Sequence, residues 1–145
     1  IHTNSAWGTI SRLIDMGVPP FLISSTLNTS VAQRLVRKLC PHCKKEVKET
    51  PKNLPLSYSP PYQINSYYEA VGCSSCHFTG YKGRQAVYEV VSLDKELGKL
   101  IKNGIFDASK ELKEREIKSL SENAYQMLAD GITTLEEVYP ILINV

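Results

Sequence analysis

The hydrophobic positions of this chain recur at helical spacing near both ends and at strand spacing twice in between. In residues 4–16, Ala6, Ile10, Leu13 and Ile14 fall near one helical face. Asn4 or Ser5 can cap the first N–H groups, and Gly17 stands where a left-handed residue closes a helix. Pro19-Pro20 breaks the chain, and Pro20 suits the first position of a short helix over Phe21–Leu27. Asn28-Thr29-Ser30 reads as a turn. Val31–Leu39 partly alternates between turn residues, and Gln85–Val91 is rich in Val and Tyr; both are expected strands. From Ser92 the period is helical again, with Leu93, Leu97, Leu100 and Ile101 on one face and Gly104 as the stop. In the charged stretch Ala108–Lys118, Glu111 with Arg115 and Glu114 with Lys118 stand in the favourable i, i+4 order. Ser119-Leu120-Ser121-Glu122 forms a capping box for a helix through Leu128, stopped by Gly131. Thr133-Thr134-Leu135-Glu136 forms a second, and Pro140 is expected to end the helix it opens.

Residues 44–72 break these periods. Pro51, Pro55, Pro60 and Pro61 lie there, with Pro41 just before, and Tyr58, Tyr62, Tyr67 and Tyr68 crowd among them. Such a stretch sustains neither long helices nor central strands and needs a staple. The four cysteines of the chain bracket it as Cys40-x-x-Cys43 and Cys73-x-x-Cys76. Two tight pairs can present four sulfurs to one tetrahedral ion, and zinc is the ion that prefers them. Gly72, Gly80 and Gly83 beside the second pair let the backbone bend closely around the sulfurs. The 29 residues between the pairs exceed the usual spacing of four-cysteine sites. Two reactive dithiols, an iron centre or a pair of disulfides are the other readings of the same count. His42 and His77 adjoin the pairs and read as bystanders, since four thiolates already complete the sphere. A closed set of this kind has no open position for a substrate, so its expected role is structural.

Composition changes this picture little. The 145 residues are 42% hydrophobic and 22% charged, as in an ordinary globular chain. A net charge of +2 excludes a polybasic or acidic tail as the main feature. Lys38, Lys44, Lys45, Lys48, Lys82 and Arg84 lie near the cysteines and suit the negative charge of a zinc tetrathiolate. Glu46, Glu49 and Glu69 dilute that patch as a nucleic-acid surface. No apolar run is long enough to span a membrane, and no signal peptide opens the chain. GxxxxGK[ST], GxSxG and HExxH are all missing from the 145 residues. Asp15, Asp94 and Asp107 have no evident partner carboxylate, and a solvated helix face explains each of them better than acid–base work. The first residue is Ile, so the chain reads as a piece of a longer protein.

Several stretches, taken together, resemble one family. Ile1-His2-Thr3-Asn4 resembles the His box of the type II secretion and type IV pilus assembly ATPases, and Ile10 through Val18 follows it in the same order. Ala32–Cys43, then Gly72 through Arg84, Val87-Tyr88-Glu89 and Gly131–Val138 continue the likeness over nearly the whole chain. Proline and tyrosine in 44–72, and the lack of glycine in Arg115–Asn123, depart from the family pattern.

The resemblance implies a mixed, mostly α, α/β fold. Residues 1–39 and 83–92 would be the C-terminal part of a RecA-like core, 40–82 a zinc-ribbon-like insertion and 93–145 an α-helical domain. It implies a hexameric parent that binds ATP and Mg²⁺ through motifs upstream of Ile1. His2 would sense the γ-phosphate, Arg34 and Arg84 would be further candidates for nucleotide contact, and Arg12 an exposed or subunit-contact residue. Zn²⁺ would sit on Cys40, Cys43, Cys73 and Cys76. The partner implied is the inner-membrane platform protein of a pilus or secretion machine, with no nucleic acid. The place implied is the bacterial cytoplasm, at the inner face of the inner membrane and attached through partners. The 145 residues alone are not expected to hydrolyse ATP. The competing reading is a stand-alone zinc-ribbon module that binds nucleic acid or protein.

Overall fold

The computed structural model describes residues 3–144. His2, the expected phosphate sensor, lies outside them. Among the described residues, six α-helices and four strands follow in the order α1 (Gly8–Asp15), α2 (Pro20–Thr26), β1 (Thr29–Leu39), β2 (Lys45–Val47), β3 (Tyr67–Glu69), β4 (Tyr81–Ser92), α3 (Lys95–Lys102), α4 (Ser109–Glu114), α5 (Leu120–Ala129) and α6 (Leu135–Leu142). The fold is mixed α/β, and none of the described helices is long and apolar enough to cross a membrane.

The strands form two small sheets, β1 beside β4 and β2 beside β3. Leu93 N–H donates to Asn28 O and Cys40 N–H to Gly80 O, so β1 and β4 run antiparallel. Both are longer than the sequence suggests. Thr29 and Ser30, read as a turn, already belong to β1. Their turn propensity is overridden because Ser30 is buried and hydrogen-bonded.

By contact the chain divides into two compact units: residues 1–33 with 88–120, and residues 34–87 with 121–145. α3 and α4 lie in the first unit, and α5 from Ser121 onward lies in the second. The first unit closes over a conventional apolar core. Ala6, Trp7, Ile10, Ile23, Ala32, Val91, Leu97, Ile101 and Ala108 are its buried centre. α1 begins later than its period suggests, at Gly8, whose N–H is capped by Ser5 Oγ at 2.9 Å. It ends at Gly17, φ +90°, with Val18 N–H on Leu13 O and Gly17 N–H on Ile14 O, the paired bonds of a Schellman turn. α3 is capped by Asp94, whose carboxylate accepts Leu97 N–H at 2.9 Å and meets Arg115 at 2.7 Å. Arg115 forks to Asp94 and Glu96 with its side chain and reaches only the backbone carbonyl of Glu111, because a bidentate partner across the fold outcompetes the local pair.

In the second unit, α6 overturns one expectation. Pro140 lies inside the helix, which continues to Leu142. Val138, Ile141 and Leu142 are buried on either side of it, and that burial outweighs one lost backbone bond. The cap also shifts by one residue. Thr134 accepts Glu137 N–H, while Thr133 Oγ1 donates to Arg37 O at 2.7 Å. Glu137 then grips Arg37 through the backbone N–H at 2.7 Å and the guanidinium at 2.9 Å. The proline-rich segment is held against α5 by tyrosines. Tyr58 packs tilted and Tyr62 edge-on against the Tyr125 ring, at centroid distances of 5.8 and 5.3 Å, and Tyr125 OH donates to Tyr62 O at 2.9 Å.

Candidate metal centre

β1 delivers Cys40 at its end, and the turn Pro41–Lys44 brings Cys43 back beside it, with Lys44 N–H on Cys40 O at 3.1 Å. The second knuckle is a 3₁₀ turn, Ser74–Cys76, just before β4. Cys40 N–H donates to Gly80 O at 2.9 Å and ties the knuckles together. β2 and β3 close the base as a short antiparallel pair, Lys45 opposite Glu69 and Val47 opposite Tyr67.

All four sulfurs lie within 4.8 Å of one another. Cys40–Cys73 and Cys43–Cys76 are 3.9 Å apart, and Cys73–Cys76 is 3.8 Å. A zinc tetrathiolate with bonds of about 2.3 Å has tetrahedral edges of roughly 3.8 Å. A disulfide needs about 2.05 Å, and all four thiols are free. The donor set therefore fits a tetrahedral, thiolate-seeking ion, and Cys40, Cys43, Cys73 and Cys76 can hold one.

The backbone around the sulfurs is arranged for thiolates. Cys76 Sγ accepts N–H bonds from Cys73 and Gly80, both at 3.2 Å, and Cys43 Sγ accepts from Gly72 at 3.3 Å. Burial pushes the Cys76 thiol up, but the Cys73 and Gly80 donors and the neighbouring thiols outweigh it and bring it down to about 6. For Cys43 burial dominates over the one Gly72 donor and carries it to about 11. The close turn needs glycine at Gly80. Its φ is +80°, and a side chain there would come within 2.6 Å of Ala70 Cβ. His77 and Phe78 take left-handed conformations without being glycine, φ 52° and 61°, so the knuckle holds strain.

Other expected site residues fall elsewhere. Arg34 is half-buried on β1 and Arg84 exposed on β4, and neither belongs to the sulfur cluster. His42 and His77 are exposed beside it. Lys44 donates to Gly131 O at 2.9 Å and lies 4.5 Å over the Tyr68 ring. With Lys38 and Lys82 it lines a cleft of about 480 Å³ that also includes Asp130. Sequence reading gave Glu89 no role of its own, yet it is buried with both oxygens hydrogen-bonded. The only local signal was an acidic residue at a core-facing position of a strand.

A family model described as type II/IV secretion system protein matches residues 1–140. The type IV pilus assembly ATPase PilB of Myxococcus xanthus is 43% identical over 145 residues, covering 95% of this chain and 25% of that protein. The type II secretion system protein E of Pseudomonas aeruginosa is 39% identical over 142 residues, covering 95% of this chain and 28% of that protein. This chain thus spans about a quarter of the length of these relatives. Among solved structures, the pilus retraction motor PilT with bound ADP superposes with a TM-score of 0.57 at 18% identity, over 97% of this chain and 30% of that one, a likeness of fold. A match over nearly every residue, joined to two relatives near 40% identity, means that this chain belongs to the type II/IV secretion system protein family.

Proposed function

We propose that this chain is the C-terminal region of a hexameric motor ATPase that drives type IV pilus assembly or type II protein secretion. The observation that carries the reading is the family match across residues 1–140, running through both cysteine pairs. The fold likeness to PilT supports assigning residues 1–39 and 83–92 to the C-terminal part of a RecA-like core. Residues 40–82 are then the metal module and 93–145 the helical C-terminal domain.

In this reading Zn²⁺ on Cys40, Cys43, Cys73 and Cys76 supplies folding free energy and no chemistry, because four thiolates leave no position for a substrate. ATP and Mg²⁺ are held chiefly by a phosphate loop upstream. His2 distinguishes triphosphate from diphosphate by a hydrogen bond to the terminal phosphate, and Arg34 and Arg84 are further candidates for nucleotide contact. The motion produced passes to a platform protein at the cytoplasmic face of the inner membrane.

The test begins with the reading frame upstream of Ile1. It should encode GxxxxGK[ST] within about 100–150 residues, one domain length. The whole protein should hydrolyse ATP, and His2→Ala should lower kcat by about 100-fold, as for loss of one preorganised donor. An upstream frame without a phosphate loop, or turnover by the isolated 145 residues that ignores His2→Ala, overturns the reading.

A further inference from the structure

Buried polar groups of the first unit converge on one short piece of backbone. Ala6 is fully buried, and side chains remote in sequence hold both its backbone groups. Its N–H donates to Glu89 Oε1 at 2.8 Å, and its carbonyl accepts from Ser30 Oγ at 2.7 Å. Trp7 Nε1–H donates to Phe106 O at 2.6 Å. Thr3 and Thr9 hydroxyls meet at 2.8 Å across the same turn. The lead-in to α1 is therefore fixed from β1, from β4 and from the loop after α3.

Glu89 does more than hold Ala6. Only 4% exposed, it turns its second oxygen, Oε2, to the N–H of Leu120 at 2.9 Å. Leu120 is the first residue of α5, so this N–H has no partner within the helix, and the helix dipole favours an anion there. Burying a carboxylate is costly unless donors satisfy it, and here two backbone N–H groups do so from opposite sides. A cap for α5 alone needs no carboxylate, since Ser, Thr or Asn supplies one acceptor. A carboxylate can accept at both ends, whereas an amide of the same shape has one acceptor oxygen and turns donors toward the other N–H. The second oxygen makes Ala6 and Leu120 share one rigid group. Leu120 is also the last residue of the first unit, and Ser121 begins the second.

We propose that Glu89 is a positioning residue that couples the segment leading from His2 to the first turn of α5, so that a shift of one shifts the other. The proposal rests on the reading of His2 as a phosphate sensor, since nucleotide is what would move that segment. Displacing Ala6 turns the Glu89 carboxylate about its stem and loosens or tightens the bond to Leu120. The movement thereby reaches the first turn of α5.

Hydrogen exchange read by mass spectrometry on the whole protein tests this, comparing ADP with a non-hydrolysable ATP analogue, each with Mg²⁺. In the unsubstituted protein, protection of residues 3–9 and 118–124 should change together between the two nucleotides. In Glu89→Gln, the change at 3–9 should persist and that at 118–124 vanish. Basal exchange at 118–124 should rise by about tenfold to a hundredfold as the Leu120 N–H loses its acceptor. Ser30→Ala, which removes the other bond to Ala6, should loosen 3–9 but leave the joint response, which separates coupling from mere destabilisation. If 118–124 ignores the nucleotide in the unsubstituted protein, or still follows it in Glu89→Gln, the coupling is overturned while the motor reading stands. A whole protein that binds no nucleotide overturns both.

Discussion

The apolar core of the first unit and the cysteine clasp of the second solve the same problem by different chemistry. In the first, nine residues from α1, α2, both long strands, α3 and their flanks pack into one buried cluster. Segment 40–80 has few core residues of its own and two strands of three residues each. Four sulfurs, three N–H···S contacts and an edge-on tyrosine pair take the place of the cluster. Prolines prevent long regular elements there, so cross-links between distant residues must restrain the chain. The core should therefore resist loss of any one polar contact, while the clasp should depend on a single ion.

Removing the proposed ion is the severest test of the contrast. Structural zinc contributes about 10–16 kcal/mol of apparent binding free energy in small domains. Chelation or Cys73→Ser should abolish stoichiometric zinc by metal analysis and expose 40–80 to limited proteolysis. The first unit should keep its exchange protection. Collapse of both units together would show that the clasp is no local device. The reverse experiment is Leu97→Ala, at a fully buried core position. It should cost about 2–5 kcal/mol in denaturant unfolding of the first unit and leave zinc content unchanged.

Smaller changes sharpen the contrast. Asp94→Ala removes the cap of α3 and should cost about 1 kcal/mol. Leu97 N–H and then the Arg115 guanidinium hold the Asp94 carboxyl below its usual range. Its contribution is thus present above the ordinary carboxylate pKa and fades as pH falls through the lower folded value. Asp94→Asn should retain the cap and flatten that acid limb of the stability curve. Glu116 ends α4 in a left-handed conformation, φ 55°, where α1, α3 and α5 are followed by left-handed Gly17, Gly104 and Gly131. Glu116→Gly should raise the denaturation midpoint by the equivalent of about 1 kcal/mol. The smallest effect is expected at Tyr58, whose buried hydroxyl has no hydrogen-bond partner among the described residues. Tyr58→Phe should be neutral or stabilise by up to about 1 kcal/mol in the same titration, marking the contact with Tyr125 as packing. A loss of stability would show that the hydroxyl does find a partner.

Much of the local architecture was legible because its cause is local. Ser5 Oγ on the Gly8 N–H before α1, glycines at positions 17, 104 and 131, and apolar residues at helical spacing act over one or two turns. Cys40-x-x-Cys43 and Cys73-x-x-Cys76 announced the candidate site, since each pair makes its own knuckle. Signals failed where a remote contact competed with a near one. Arg115 left Glu111 for Asp94 and Glu96, Thr133 turned from the cap of α6 to Arg37 O, and Pro140 stayed helical under buried neighbours.

The sequence by itself determined the element types, the two knuckles and the family, because periodicity, turn chemistry and motif order lie within short stretches of chain. Tertiary structure alone decided that the four sulfurs stand at tetrahedral spacing across 29 intervening residues, and that Pro140 is tolerated. It alone decided that Glu89 serves Ala6, 83 positions away, and Leu120, 31 away. No local pattern encodes an acceptor shared between such distant donors. The pairing exists because a buried carboxylate must be satisfied, and only the folded chain sets which N–H groups are within reach.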